Sequence, residues 1–207
     1  KLWVDMDNNE RRASALSETG LSWNGEFVTG NVPSVLSPQS MMAVSGERAG
    51  PARGAYEVGD ASFGPALDIA GVSADLMPVV DRPNGSGLAC APLSEANALA
   101  VKGNIALVDR GECSFVVKAK VVQDAGAKGM VVADNAPGAV TGLGGGDPAI
   151  RIPAVRISQA AGATLKAALK RRTRTGSGVV ANLTVDPERL AGTDGASFPF
   201  WSPDSRW

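Results

Sequence analysis

VKGNIALVDRGECSFVVKAKVVQDAGAKGMVVADNAPGAVTGLGGGDPAIRIPAVRISQAAGATLKAAL, residues 101–169, decides the fold. Asn104 to Val108 (NIALV) is an apolar run of strand length. Asp109-Arg110-Gly111 then turns the chain into a helix that Ser114 can cap, because its hydroxyl can accept one of the N–H groups left unpaired at a helix start. In that helix Phe115, Ala119 and Val122 recur on one face, while Lys118, Lys120, Gln123 and Asp124 are assigned to other faces where they can stay wet. Gly126 stands where a helix end favours positive φ, and Gly129 to Ala133 (GMVVA) is a second buried strand. The result is a βαβ unit with its two strands parallel. A loop of low apolar content, Asp134 to Ala149, leads to a third strand at Ile152 to Ile157, and Ser158 can cap a further helix whose Ala161, Leu165 and Leu169 share a face.

Outward from this stretch the signals weaken. Asp7 to Ser17 reads as a peripheral helix with Asp5 as a cap, and Leu21 to Trp23 and Val32 to Val44 contain short strand-like runs broken by proline and glycine. Glu47 to Ala55 is a turn-rich connector. Gly71 to Val80 reads as a strand that Pro78 either places at a sheet edge or ends early, since proline has no N–H to give a ladder. Val179 to Val185 is a closing strand.

Composition narrows the function. The chain has 207 residues, 44% hydrophobic and 20% charged, with a formal charge of −1. That is enough apolar material for an ordinary domain, and it gives no electrostatic footprint for nucleic acid or an anionic membrane. The one basic run, Lys170-Arg171-Arg172 with Arg174, reads as a solvated helix end. No apolar segment approaches the ~20 residues that cross a bilayer, so no membrane insertion is expected. There is no histidine. Serine or cysteine triads built on imidazole, and HExxH zinc sites, are therefore excluded within these residues, and no cofactor or metal is expected. The loop TGLGGGDP lacks the Lys-Ser/Thr of a phosphate cradle and is followed by a strand rather than a helix. Carboxylates such as Asp60, Asp68, Asp75, Asp134 and Asp147 leave open an acid and base pair assembled from distant segments, although surface carboxylates at ordinary frequency account for them equally.

The three blocks GNIALVDRGECSF, KVVQDAGAKGMVVADN and IPAVRIS…GATLKAAL resemble, in order and spacing, the protease-associated (PA) domain family. ACAPLS upstream is similar to the family's opening cysteine segment, and YEVGDASFGPAL to flanks of secreted bacterial members. The resemblance implies an α/β fold: a mixed sheet, partly closed into a sandwich or barrel and flanked by two main helices. It also implies a division into an N-terminal extension (residues 1–54), a PA domain (55–190) and a tail or the start of a neighbouring domain (191–207). GTDGASFPFWSPDSRW in the last segment resembles the opening strand of a TolB-like β-propeller repeat, against the simpler reading of an extended tail laid down by its aromatic residues.

Function is read through the same resemblance. The expected role is a noncatalytic module that binds a protein or peptide partner in a secreted multidomain hydrolase or bacterial surface protein. A fragment of a carboxylate-dependent hydrolase and a structural spacer stand as alternatives. RGECSF fits the RGxCxF pattern that borders the cargo groove in plant vacuolar sorting receptors. Carried over, Arg110, Gly111 and Glu112 border a ligand site, joined by Asp134, Asn135 and Asp147 of a flexible loop at the strand ends. Arg110 also fits a structural turn in which it pairs with a carboxylate or lies in solvent. Cys90 and Cys113 could be buried small side chains or reactive thiols. The resemblance implies instead that they are bridged, which would contribute on the order of 3 kcal/mol in the chain-entropy model and an oxidising, extracellular setting. The chain opens at Lys1 without a secretory leader, so such a signal is absent or already removed, and export rests on the bridge and the resemblance.

Overall fold

The alternation predicted for the central strands sorts their side chains into two cores. Ile105 and Leu107 point to one face and Ala106 and Val108 to the other, and the same split separates Val131 and Ala133 from Met130 and Val132. Both faces of these strands are therefore covered, as continuous apolar runs in parallel sheets require. The computed structural model describes residues 39–186, and everything below concerns them. The helix read at Asp7–Ser17, the runs before residue 39 and the tail at 191–207 lie outside the described residues.

Eight strands, β1 (Ser40–Ser45), β2 (Gly54–Glu57), β3 (Gly59–Asp60), β4 (Val72–Pro78), β5 (Ile105–Asp109), β6 (Gly129–Ala133), β7 (Ala154–Ile157) and β8 (Val180–Val185), form one mixed sheet in the order β2-β1-β8-β4-β5-β6-β7-β3. The sheet is not closed. The partial closure implied by the family resemblance is thus corrected: the order ends in two separate edges, β2 and β3. Strands β4 to β7 run parallel, with Ile105 opposite Gly129 and Met130 opposite Ala154. Pro78 is the last residue of β4, which lies centrally between β8 and β5, so the proline ends the strand and does not mark an edge.

Helices α1 (Glu95–Val101) and α2 (Phe115–Asp124) cover one face through Val101, Ala119 and Val122, while α3 (Gln159–Ala168) covers the other through Leu165. Ser114 and Ser158 cap α2 and α3 as read from sequence, accepting from the N–H groups of Val117 and Ala161. Gly126 takes φ +87° just past α2. Helix α1 went unread in SEANALAV; its cap, Ser94 accepting from Asn97, was visible there as a serine ahead of good helix formers.

The crossover from β6 to β7 contains no helix. Residues 134–153 instead pass over the α2 face, where Leu143 and Ile150 are buried in the same core as Phe63. Leu143 exchanges backbone hydrogen bonds with Asp60 and Ser62 (2.9 Å each), and the Ser62 hydroxyl reaches the carbonyl of Gly145 at 2.6 Å. The flexible loop expected here is therefore pinned, because its few apolar residues are anchors. The described residues form one compact unit, Gln39–Asp186, with β1 inside the sheet between β2 and β8.

Candidate functional site

The C-terminal ends of β5, β6 and β7 deliver Asp109, Asp134 and, one position earlier in its strand, Arg156 to one end of the sheet. Asp134 is nearly buried and accepts from Arg110 Nη1 (2.9 Å), from Arg156 Nε (2.8 Å) and Nη2, and from the N–H of Asn135 (2.8 Å). Arg156 is itself buried and places its Nη1 on Thr141 Oγ1 at 2.6 Å. Burial would raise the Asp134 pKa, but the hydrogen bonds from Arg110, Arg156 and Asn135 outweigh it and hold the carboxyl at about 2. Next to it Asp109 pairs with Lys166 of α3 and accepts from the N–H of Gly87 at 3.0 Å.

The turn after β5 takes positive φ at Gly111 (+144°) and at Glu112 (+55°), which carries Glu112 outward to pair with Arg82 at the surface. Cys113 follows and is bridged to Cys90, with Cα atoms 5.7 Å apart. The bridge pins this turn to residues 81–90. That segment is held by the Asp81 carboxylate on the N–H groups of Leu88 (2.9 Å) and Ala89 (2.8 Å), the latter residue at φ +49°. Gly87 lies so close to β4 that a Cβ there would meet the carbonyl oxygen of Val79 at 2.0 Å, so no other residue fits.

Beneath the bridge sits Lys118, fully buried. Its Nζ donates to the carbonyl of Leu88 (2.5 Å) and lies 3.7 Å from Cys90 Sγ. Burial lowers its pKa, opposed by the negative charges of Asp81, Asp109 and Glu112. This corrects the sequence reading, which left Lys118 in solvent. The face defined by Phe115, Ala119 and Val122 follows the i, i+4, i+7 pattern, and i+3 of that pattern is Lys118. Its charge had argued against burial; its spacing had argued for it.

The structure thus gathers Arg110, Gly111, Glu112 and the bridge, with Asp134 bonded to Arg110 and Asn135 beside it. Asn135 also offers its carbonyl to Gln159 Nε2 at 3.1 Å. Asp147 stands apart. Its carboxylate accepts from the N–H of Ala149 (2.8 Å), in a segment tied by Gln123 to the far end of α2, a helix of about 15 Å. Asp68 and Asp75 are taken up by backbone N–H groups of Gly71, and of Ser177 and Gly178. Among the described residues no group of three or more His, Cys, Asp or Glu could hold a metal ion.

Residues 72–165 match the family model of the PA domain. The chain carries a PA domain. Among curated proteins, the probable lipoprotein aminopeptidase LpqL of Mycobacterium tuberculosis is 33% identical over 90 residues, covering 43% of this chain and 18% of that protein. The receptor homology region, transmembrane domain- and RING domain-containing protein 1 of Oryza sativa subsp. japonica is 40% identical over 79 residues, 38% of this chain and 15% of that one. Leucine aminopeptidase 2 of Arthroderma otae is 44% identical over 64 residues, 31% and 13%. This chain therefore spans less than a fifth of the length of these relatives. Among solved structures, the aminopeptidase from Aneurinibacillus sp. strain AM-1 superposes with a TM-score of 0.52 at 24% identity, over 72% of this chain and 31% of that one. A zinc aminopeptidase from Bacillus subtilis gives 0.50 at 19%, over 90% and 44%. These two likenesses concern the fold.

Because the Asp134 pKa is depressed by folding, its stabilisation is complete above the ordinary carboxylate value near 3.8 and is lost as pH falls towards 2. It amounts to about 2 kcal/mol. Asp134→Asn leaves Arg156 buried without its counter-charge and should cost about 3 kcal/mol at pH 7 while flattening the acid limb. Urea unfolding at pH 7, 4, 3 and 2 checks this; equal slopes for variant and parent between pH 4 and 2 would contradict it. Lys118→Met should cost about 1–3 kcal/mol by orphaning the Leu88 carbonyl, and should speed hydrogen exchange at Leu88 and Ala89. A Met variant as stable as the parent, with unchanged exchange there, would show that the lysine clamps nothing.

Proposed function

We propose that this PA domain is a noncatalytic module that binds a protein or peptide partner within a secreted or cell-surface hydrolase, and that it meets its partner at Arg110, Gly111 and Glu112 with Asp134 and Asn135 alongside. The observation that carries this reading is the half-exposed Arg110 guanidinium. It is oriented by one bond to a carboxylate that Arg156 already neutralises, so its other donors remain available to a peptide carbonyl or carboxylate. Beside it the bridged turn fixes the backbone, which lowers the ordering cost of binding. Asp147 contributes to the rim of the same module at most, given its place at the far end of α2.

The matched piece recurs in proteins named as aminopeptidases and in one named for a RING domain, which supports a transferable accessory role over a catalytic one. The absence of histidine and the engagement of Asp134 by two arginines argue the same way against a carboxylate-dependent hydrolase fragment. The bridge and a relative named as a lipoprotein support an extracellular setting.

The isolated chain should release no product from leucine p-nitroanilide or casein. Sustained turnover that survives repurification and disappears in Asp134→Asn would instead establish the hydrolase reading. Arg110→Ala should lower the affinity for whichever casein-derived peptides bind the parent by about tenfold while moving the melting temperature by less than about 2 °C, since a half-exposed ion pair adds little to stability. Isotope-labelled protein titrated with such a peptide should show its largest shifts at residues 110–113 and 134–135. Undiminished affinity in the variant would place the contact elsewhere.

A further inference from the structure

Four large apolar side chains stand exposed among the described residues: Ile69, Val80, Leu99 and Val117. Two of them, Val80 and Leu99, line the same open cavity of about 880 Å3. Its floor is Pro78 and Val80 at the end of β4, one wall is α1 with Glu95 and Leu99, and the other is Arg172 and Arg174. A second cavity of about 510 Å3 shares Val80, Ser94 and Asn97 with it and prolongs the cleft to Arg82. Neither is lined by Arg110, Gly111, Glu112 or Asp134, so this surface is separate from the site above.

The chemistry of the cleft is asymmetric. Lys170, Arg171, Arg172 and Arg174 are exposed, and none has an ion-pair partner among the described residues. One cation suffices for a helix end; the Arg172 guanidinium already donates to the carbonyl of Leu169 at 3.2 Å. The remaining charge is surplus to folding. The backbone at Val80 is closed to strand addition, because the Asn97 side chain takes both its N–H (3.0 Å) and its carbonyl (2.9 Å). A ligand must therefore engage side chains. The cleft offers no aromatic ring on which a nucleic-acid base could stack.

We propose that this cleft docks an acidic peptide segment, with one apolar side chain seated on Val80 and Leu99 and flanking carboxylates on Arg172 and Arg174. Arginine suits the second task because its planar fork holds a carboxylate through two parallel hydrogen bonds.

The test uses the whole chain and three fluorescein-labelled pentapeptides, DELED, DESED and KKLKK, followed by anisotropy at 50 mM and 300 mM salt. DELED should bind, weaken at high salt, and lose about tenfold in affinity in both Arg172→Glu/Arg174→Glu and Leu99→Asp. Lys128→Glu, an exposed charge reversal outside the cleft, should keep parental affinity. DESED should bind about tenfold more weakly than DELED, and KKLKK not at all. Equal affinity for DELED and DESED, an unaffected Arg172→Glu/Arg174→Glu variant, or an equal loss in Lys128→Glu would overturn the proposal. So would stronger binding of a labelled oligo-dT or of phosphatidylserine vesicles through the same arginines, which would make the surface a general anion patch.

Discussion

A buried ammonium group needs a hydrogen-bond acceptor and opposing charge, and Lys118, in the first turn of α2, finds both. Its Nζ holds the carbonyl of Leu88, and the charges of Asp81 and Asp109 stand near enough to oppose the lowering of its pKa. The same two carboxylates hold the N–H groups of Gly87, Leu88 and Ala89. Helix α2, the segment before α1 and the end of β5 are thereby tied through one buried cation. The bridge between Cys90 and Cys113 closes the same ring covalently. Removing the lysine would orphan the Leu88 carbonyl beneath the bridge that anchors the Arg110–Glu112 turn.

What could be read from sequence was what depends on local pattern. The strands at residues 105–109, 129–133 and 154–157, the serine caps of α2 and α3, and Gly126 beyond α2 follow from spacing and backbone chemistry over a few residues. The failures depend on long-range contacts. Pro78 is not among them, since ending its strand early was one of its two readings and β4 stops there. The glycine-rich loop reads as flexible because Leu143 and Ile150 are sparse, yet one side chain inserted into a core is enough to fix a crossover. Closure of the sheet depends on how β1, β2 and β8 associate with the rest, and no local pattern reports that. Lys118 is the instructive case: helical spacing placed it inward, residue type placed it outward, and spacing prevailed because the Leu88 carbonyl accepts from the ammonium while the charges of Asp81 and Asp109 oppose its desolvation.

Arg110 shows how a structural and a recognitive reading can both draw on one contact. Its bond to Asp134 is the carboxylate pairing that the structural-turn reading allowed. Yet Arg156, more deeply buried and bonded to the same carboxylate, already supplies the neutralising charge. The cluster holds two guanidinium groups against one carboxylate. The outer of the two is the one that solvent, or a ligand, can reach.

The two surfaces therefore differ in what a partner would displace. At the strand ends each of the charged groups Asp109, Arg110, Glu112 and Asp134 has a protein partner, and a ligand gains only the donors that remain, in a geometry fixed by the bridge and by Lys118. Binding there should be selective and weakly sensitive to salt, because few free ions are released. On the α1 flank the cations face water with no ion-pair partner among the described residues, although Glu95 lines the same cavity, and the apolar floor is already formed. Association there should be fast, strongly dependent on ionic strength, and selective only through the single apolar anchor between Val80 and Leu99. A chain that guides a polypeptide could use the second surface to capture it and the first to orient it, since the prolonged cleft ends at Arg82, the residue that pairs with Glu112.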